Sequence, residues 1–266
     1  IENAMSNFIN HFSLDCALII DTHAHLYSEF YDNIADIVAQ LKEKDIINVI
    51  NCGDSIKSSL EILRLSNEFK GYLLPAVGIH PDNIDIDYNK INDLEILIKN
   101  SRIVGVGEIG LDYYHNKDNK AEQIKLFSQQ VDLAEKYNLP IIVHTRDSIQ
   151  DCFNILKSKN SRGIIHCFSG SLEMAREFIK LGYYLGIGGV LTFKNSKLYK
   201  VIEQIDLSHI VLETDSPFLS PEPLRGTKNN PSNVIFVAKK IAEIKHLSTD
   251  EVIKITTSNA RKIFDI

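Results

Sequence analysis

Asp21-Thr22-His23-Ala24-His25 is the sharpest chemical feature of the chain. Side chains two apart on an extended backbone point to the same side, so His23 and His25 present two imidazoles to one point. Two imidazoles aimed at one point can grip a metal ion. A lone histidine at a strand end is more often a satisfied polar group, but this pair is followed by further candidate ligands. His80 lies in Gly78-Ile-His-Pro81 and Glu108 in Gly105-Val-Gly-Glu-Ile-Gly-Leu-Asp-Tyr113. His144 lies in Pro140-Ile-Ile-Val-His-Thr-Arg146, His166 in His166-Cys-Phe-Ser-Gly170, and Asp215 in Leu212-Glu-Thr-Asp-Ser-Pro217. Imidazoles and carboxylates in this mixture suit a transition ion such as zinc, or magnesium or manganese.

Each residue has a plainer reading beside the chemical one. Glu108 is either a solvated glutamate in a glycine-rich strand end or a carboxylate bridging two ions, and the pattern favours the bridge. Asp112 either orients a neighbour or caps the segment that follows. Cys167, adjacent to His166, points to the other face of its strand and reads as a packed thiol. Arg146 either forks onto an anion or pairs with Asp147. Asp215 is suited both to hold a metal and to accept a proton from water. Glu213, two residues earlier, reads as a support behind the ligands.

Regular elements must gather these residues. Short runs rich in Ile and Val span Ala17–Asp21, Ile46–Cys52, Leu73–His80, Ile103–Ile109, Pro140–His144, Gly163–Phe168, Tyr184–Gly189 and Ile210–Asp215. Between them lie stretches of helical period, marked by Leu60, Leu63 and Leu65; by Ile91, Leu94, Leu97 and Ile98; by Phe127, Val131 and Ala134; and by Ala175, Phe178 and Ile179. Eight such strand–helix units predict an α/β fold, a single (β/α)8 TIM barrel, with an open doubly wound sheet as the alternative. In a barrel of parallel strands, Asp21, His23, His25, His80, Glu108, His144, His166 and Asp215 all fall at the carboxyl rim, so the metal site is expected at the C-terminal ends of the strands. The stretch 217–231 carries four of the seven prolines and predicts a long loop after the eighth strand.

Composition narrows the class. The chain has 266 residues, 44% hydrophobic and 24% charged, within the globular range. No apolar run approaches the roughly 18–20 residues of a membrane span. The four cysteines, Cys16, Cys52, Cys152 and Cys167, show no CxxC spacing, which points to a reducing, cytoplasmic setting. Residues 1–15 read as a tail, with 1–4 preceding an initiator-like Met5, and 16–266 as the barrel domain. The net charge of −6 argues against wrapping duplex DNA, so any nucleic-acid role must work through a local site.

Together the quoted stretches resemble the TatD family of metal-dependent hydrolases, within the amidohydrolase-like barrel superfamily. The loop Pro223-Leu-Arg-Gly-Thr-Lys-Asn-Asn-Pro231 is similar to the family's Arg-Gly-x-x-Asn-x-Pro segment, and Asn259 followed by Phe264 to its closing helix. The resemblance runs from Ala17 to Phe264; the segment before Ala17 departs from it, because family members often begin almost at the first strand. It implies a deoxyribonuclease acting as an exonuclease on DNA ends, in the 3′–5′ direction. It implies two divalent metal ions, one held by His23, His25, Glu108 and Asp215, the other by His144 and His166 with Glu108 shared. His80, Arg146, Arg225 and Asn229 are then expected to bind substrate, and Asp215 and Glu108 to be catalytic. The expected reaction is attack of metal-bound hydroxide on phosphorus, with Asp215 taking the proton.

Other readings stay open at this level. One is an amide hydrolase, although superfamily members of that kind often bridge their ions with a carboxylated lysine where this chain has Glu108. Another is a small-molecule phosphoesterase; a third is a metal-binding protein without activity, which a complete ligand set disfavours. Tyr27, Tyr113, Tyr114 and Phe193 either stack on bases or pack. A monomer with DNA, single-stranded or at ends, as its substrate is expected.

Overall fold

The computed structural model describes residues 18–266; the expected tail at 1–15 lies outside them, as do Cys16 and Ala17. Eight strands run β1 (Ile19–Ala24), β2 (Ile46–Cys52), β3 (Leu73–Val77), β4 (Gly105–Asp112), β5 (Ile141–Arg146), β6 (Gly163–Ile165), β7 (Tyr184–Ile187) and β8 (Ile210–Leu212). They pair in sequence order, each parallel to the next. Among the described residues lie ten α-helices: α1 (Ile34–Lys42), α2 (Ile56–Glu68), α3 (Ile84–Asp87), α4 (Ile91–Asn100), α5 (Lys120–Lys136), α6 (Ile149–Leu156), α7 (Leu172–Lys180), α8 (Leu198–Gln204), α9 (Val234–Lys245) and α10 (Thr249–Phe264). The expected barrel is therefore present, nearly closed.

Closure comes from residues beyond the regular ladder. Asp215 N donates to the His23 carbonyl at 2.9 Å, and His25 N donates to the Ser216 carbonyl at 2.8 Å. Thr22 Oγ1 donates to the Leu212 carbonyl at 2.9 Å. The first and last strands thus meet at the residues that carry His23, His25 and Asp215.

Parallel strands in a barrel are covered on both faces, which is why all eight residues of β4 are buried despite a glutamate and an aspartate among them. Inside the barrel, Ile20, Ile50, Ala76, Ile142, Ile164 and Val211 form one apolar cluster with Ala260, Ile263 and Phe264 of α10. Phe264 packs near Gly105, the first residue of β4, so α10 stops the amino end of the barrel. Ser248 and Glu251 form a reciprocal capping box that starts this helix. The opposite, carboxyl end is left to polar residues.

Some boundaries differ from the sequence reading. The first strand continues through His23 to Ala24, and the fourth starts at Gly105 and runs past Glu108 to Asp112. Leu60 points outward, 54% exposed, while Ser58, Ser59, Ile62 and Leu65 form the buried face of α2. Small serines let that helix sit close to the sheet, a use of polar residues that hydrophobic period does not reveal.

Candidate metal centre at the carboxyl rim

β1 and the residue that follows it place His23 and His25 with their Nε2 atoms 3.1 Å apart. β4 brings Glu108 between them and the far wall. Its Oε2 lies 3.3 Å from His23 Nε2 and 3.2 Å from His25 Nε2. Its Oε1 lies 2.9 Å from His144 Nδ1, 3.2 Å from His166 Nε2 and 3.6 Å from His80 Nε2. One carboxylate therefore faces two sets of imidazoles, one with each oxygen. Asp215 Oδ1 closes the first set, 3.5 Å from His23 and 3.6 Å from His25. Gly110, at φ +151°, permits this convergence: a Cβ there would lie 1.9 Å from the His144 carbonyl oxygen, so only glycine lets β4 approach β5 here.

The imidazoles are fixed from behind. His25 Nδ1 lies 2.9 Å from the Cys52 carbonyl, His166 Nδ1 3.0 Å from Glu213 Oε1, and His144 Nε2 3.0 Å from Asp112 Oδ2. A carbonyl or carboxylate partner accepts an N–H and leaves the other ring nitrogen with its lone pair toward the centre, the arrangement typical of metal-ligating histidines. His23 Nδ1 lies 3.4 Å from Cys52 Sγ. Asp112 both orients His144 and accepts the backbone N–H groups of Tyr114 and His115 at 2.9 Å, so the two roles the sequence left open are combined. Glu213 lies directly behind His166, and its Oε1 also accepts the Cys167 N–H at 2.6 Å.

The donor set fits a cation. Ligand atoms of His23, His25 and Glu108 lie within 4.8 Å of one another, as do those of His23, His166 and Asp215, and of His80, Glu108 and His144. Lone pairs facing lone pairs around buried carboxylates repel unless positive charge sits among them. Without metal, protons supply it. Burial disfavours a charged His25, but the bonds to Asp215 and Glu108 prevail and lift it to about 10. Burial opposes His144 likewise, and Asp112 and Glu108 raise it to about 9. His166 is held well above its ordinary value against burial by Glu213 and Glu108. Burial acts to raise Glu108, and the surrounding imidazoles overcome it and hold the carboxyl well below the usual range.

His80 behaves differently. Its Nδ1 accepts from Asp82 N at 3.1 Å, so the neutral ring carries its proton on Nε2, the atom that faces the centre. Burial, then the neighbouring His144, push it down to about 3, which keeps it neutral. A neutral N–H donor suits an anionic oxygen better than a cation, despite its proximity to Glu108 and His144.

Above these groups opens a cavity of about 770 Å³. His25, His80, Glu108, His144, His166 and Asp215 line it, with Arg146 and Arg225 at its mouth. Arg146 stacks on Tyr114, 4.1 Å to the ring centre, and Arg225 on Phe193 at 4.3 Å. Three residues that the sequence places at the rim or on the substrate, His23, Asn229 and Asp21, do not line the cavity; His23 is fully buried but stays among the clustered ligand atoms. Asn229 is 1% exposed, and its amide donates to the Thr214 and Phe218 carbonyls. A long loop needs internal partners for its backbone, and Asn229 supplies them. Asp21 is also buried away from the centre; it takes Thr214 Oγ1, Thr214 N and His23 N and braces the β1–β8 seam. Burial raises its pKa to about 8. Sequence reasoning missed Asp54 and Asp82 on the cavity wall. The only signal for Asp54 was its place just after the end of β2.

Comparison with known proteins agrees with this geometry. The family described as TatD related DNase matches residues 20–265. The "Uncharacterized metal-dependent hydrolase YabD" of Bacillus subtilis is 38% identical over 94% of this chain and all of its own length. The protein of the same description named YcfH, from Escherichia coli, is 31% identical over 93% of this chain and 96% of its own. The crystal structure of YJJV, a TatD homologue from Escherichia coli, superposes with a TM-score of 0.86 at 27% identity, covering 95% of this chain and all of that one. Barrel, ligand cluster and kinship converge, and the chain is a member of the TatD family of metal-dependent hydrolases.

Proposed function

We propose that this enzyme hydrolyses phosphodiester bonds of DNA, removing nucleotides from single-stranded 3′ ends, with two divalent ions at the rim. The observation that carries the reading is Glu108, whose two oxygens face separate imidazole sets across one carboxylate. The family description as a DNase supports DNA as substrate. In this reading His23, His25, Glu108 and Asp215 hold one ion, and His144 and His166 hold the other with Glu108 shared. Such a pair of ions, when bound, supplies Lewis acidity and makes water nucleophilic near neutral pH.

The chain's own residues do the rest. Asp215 is the partly exposed carboxylate beside the open cavity, and it accepts the proton of the attacking water. His80 donates its Nε2–H to a non-bridging phosphate oxygen, where charge develops in the transition state. Arg146 and Arg225 hold flanking phosphates; both are presented by aromatic stacking at the mouth. Asn229 fixes the loop that carries Arg225.

The test is a divalent-ion series with end-labelled single-stranded DNA. Stepwise nucleotide release from the 3′ end, abolished by chelator and restored by one ion, is the expected result. Release from the 5′ end overturns the polarity; hydrolysis confined to small phosphoesters or amides overturns the substrate.

A further inference from the structure

The loop after β8 exposes large apolar side chains where the active-site mouth would otherwise be polar. Phe218 is 47% exposed and Leu219 38%, and both line the cavity. Exposed aromatic surface on a loop invites collapse onto the nearest apolar neighbour, and here the backbone prevents it. Phe218 N donates to the Asp215 carbonyl at 2.8 Å, and the Phe218 carbonyl accepts from Asn229 Nδ2 at 2.7 Å. Asn229 itself is held by the Tyr31 hydroxyl, which donates to its carbonyl at 2.9 Å. Leu219 sits at φ +52°, a conformation unfavourable for a leucine. Its carbonyl oxygen lies where a Cβ on Gly189 would come within 2.1 Å, so the loop is seated against a glycine. The apolar tip is thus rigidly presented.

The ring of Phe218 touches Phe30 and His25 with centroids 5.3 and 6.1 Å away, at interplanar angles of 79° and 66°. Neither neighbour stacks on it face to face. A flat apolar surface therefore lies beside a metal-ligating histidine and three residues from Asp215, and the cavity mouth also carries the guanidinium groups of Arg146 and Arg225. The ligand matching that juxtaposition has a flat apolar face and an anion close together. A nucleotide with its base unstacked from its neighbours has both.

We infer that Phe218 is a specificity-determining platform on which an unpaired nucleobase next to the scissile phosphate stacks. The inference rests on the DNA-hydrolysis reading above and sharpens it: the base beside the scissile phosphate must be unstacked, because a base inside a duplex has both faces covered by its neighbours.

The test compares a short single-stranded oligonucleotide with the same strand carrying abasic residues at its terminal positions, using the metal-loaded enzyme. Stacking of one base on an aromatic ring predicts a preference of about tenfold in kcat/KM for the intact strand by the native protein. In Phe218→Ala that preference falls to within about twofold. Phe218→Leu, which keeps apolar bulk and guards against a folding defect in the alanine variant, loses it as well, and Phe218→Trp retains it. An undiminished preference in both Phe218→Ala and Phe218→Leu, or native enzyme that cleaves intact and abasic strands equally, overturns the platform. Native enzyme that cleaves neither strand overturns the DNA reading instead, and the two failures are told apart before any variant is made.

Discussion

Glu213 offers the cleanest separation of charge from shape in this centre. Both its hydrogen bonds, to His166 Nδ1 and to Cys167 N, end on Oε1, while Oε2 is buried with no partner. In Glu213→Gln the amide oxygen can take the place of Oε1 and accept both bonds, with the NH2 group in the place of the unpartnered Oε2. The hydrogen bonds survive, and what is lost is the negative charge that, in the proposed centre, would make His166 Nε2 a stronger donor to metal. A buried hydrogen bond to a charged group contributes about 1.5–3 kcal/mol against about 1 for a neutral one. The difference corresponds to roughly a tenfold weaker grip on the ion at His166. Glu213→Ala removes the acceptor altogether, and about a hundredfold loss follows, the upper end for deleting such a support. The alanine variant also strands one buried and one half-buried N–H group and melts lower; the glutamine variant melts close to the native protein.

The assay is competition for metal against a chromophoric chelator, beside turnover at saturating metal, where the glutamine variant recovers most of its rate. The reasoning fails if both variants bind metal like the native protein, or if the alanine variant loses thermal stability alone. Glu213 would then be a packing element with no hold on the ligand.

Other expectations follow from the same geometry. Loading metal at pH 7 should release protons from His25 and His144, which sit at about 10 and 9 in the metal-free protein; calorimetry in buffers of different ionisation enthalpy checks this, and release of no proton contradicts it. The chelated protein should lose thermal stability as pH rises from 6.5 to 10. In that range the unfolded histidines release protons that the folded ones keep, and Asp21, raised to about 8, adds to the same trend from 3.8 upward. A melting midpoint that climbs through that range refutes the assignment. Glu108→Ala or Asp215→Asn should abolish metal-dependent turnover with the circular dichroism unchanged; an active variant removes that residue from the mechanism. Asn229→Ala should cost about 1–3 kcal/mol by leaving the buried Thr214 carbonyl and the half-buried Phe218 carbonyl without this partner, read as a lower midpoint in urea.

What could be read before the structure was what local rules fix. Eight apolar runs, six of them with a histidine or acid at or near the carboxyl end, imply a barrel with a polar rim, because nothing else about a buried strand explains a terminal His144 or His166. His23 and His25 converge because alternation on a strand is a local property. The positions that escaped are those whose meaning is set across the barrel. Asp21 falls at the rim beside His23, yet the β1–β8 seam claims it through Thr214, a residue 193 positions away. Asn229 matches a motif next to Arg225, yet the loop folds it under Phe218. In both cases a polar side chain near the rim had two possible partners, metal or substrate on one side and unsatisfied backbone or hydroxyl groups on the other. Burial decided between them. His80 shows that proximity alone cannot decide, since one backbone N–H from Asp82 turns a ligand geometry into a proton donor. Reading such a rim therefore requires following what each side chain already holds before asking what it could bind.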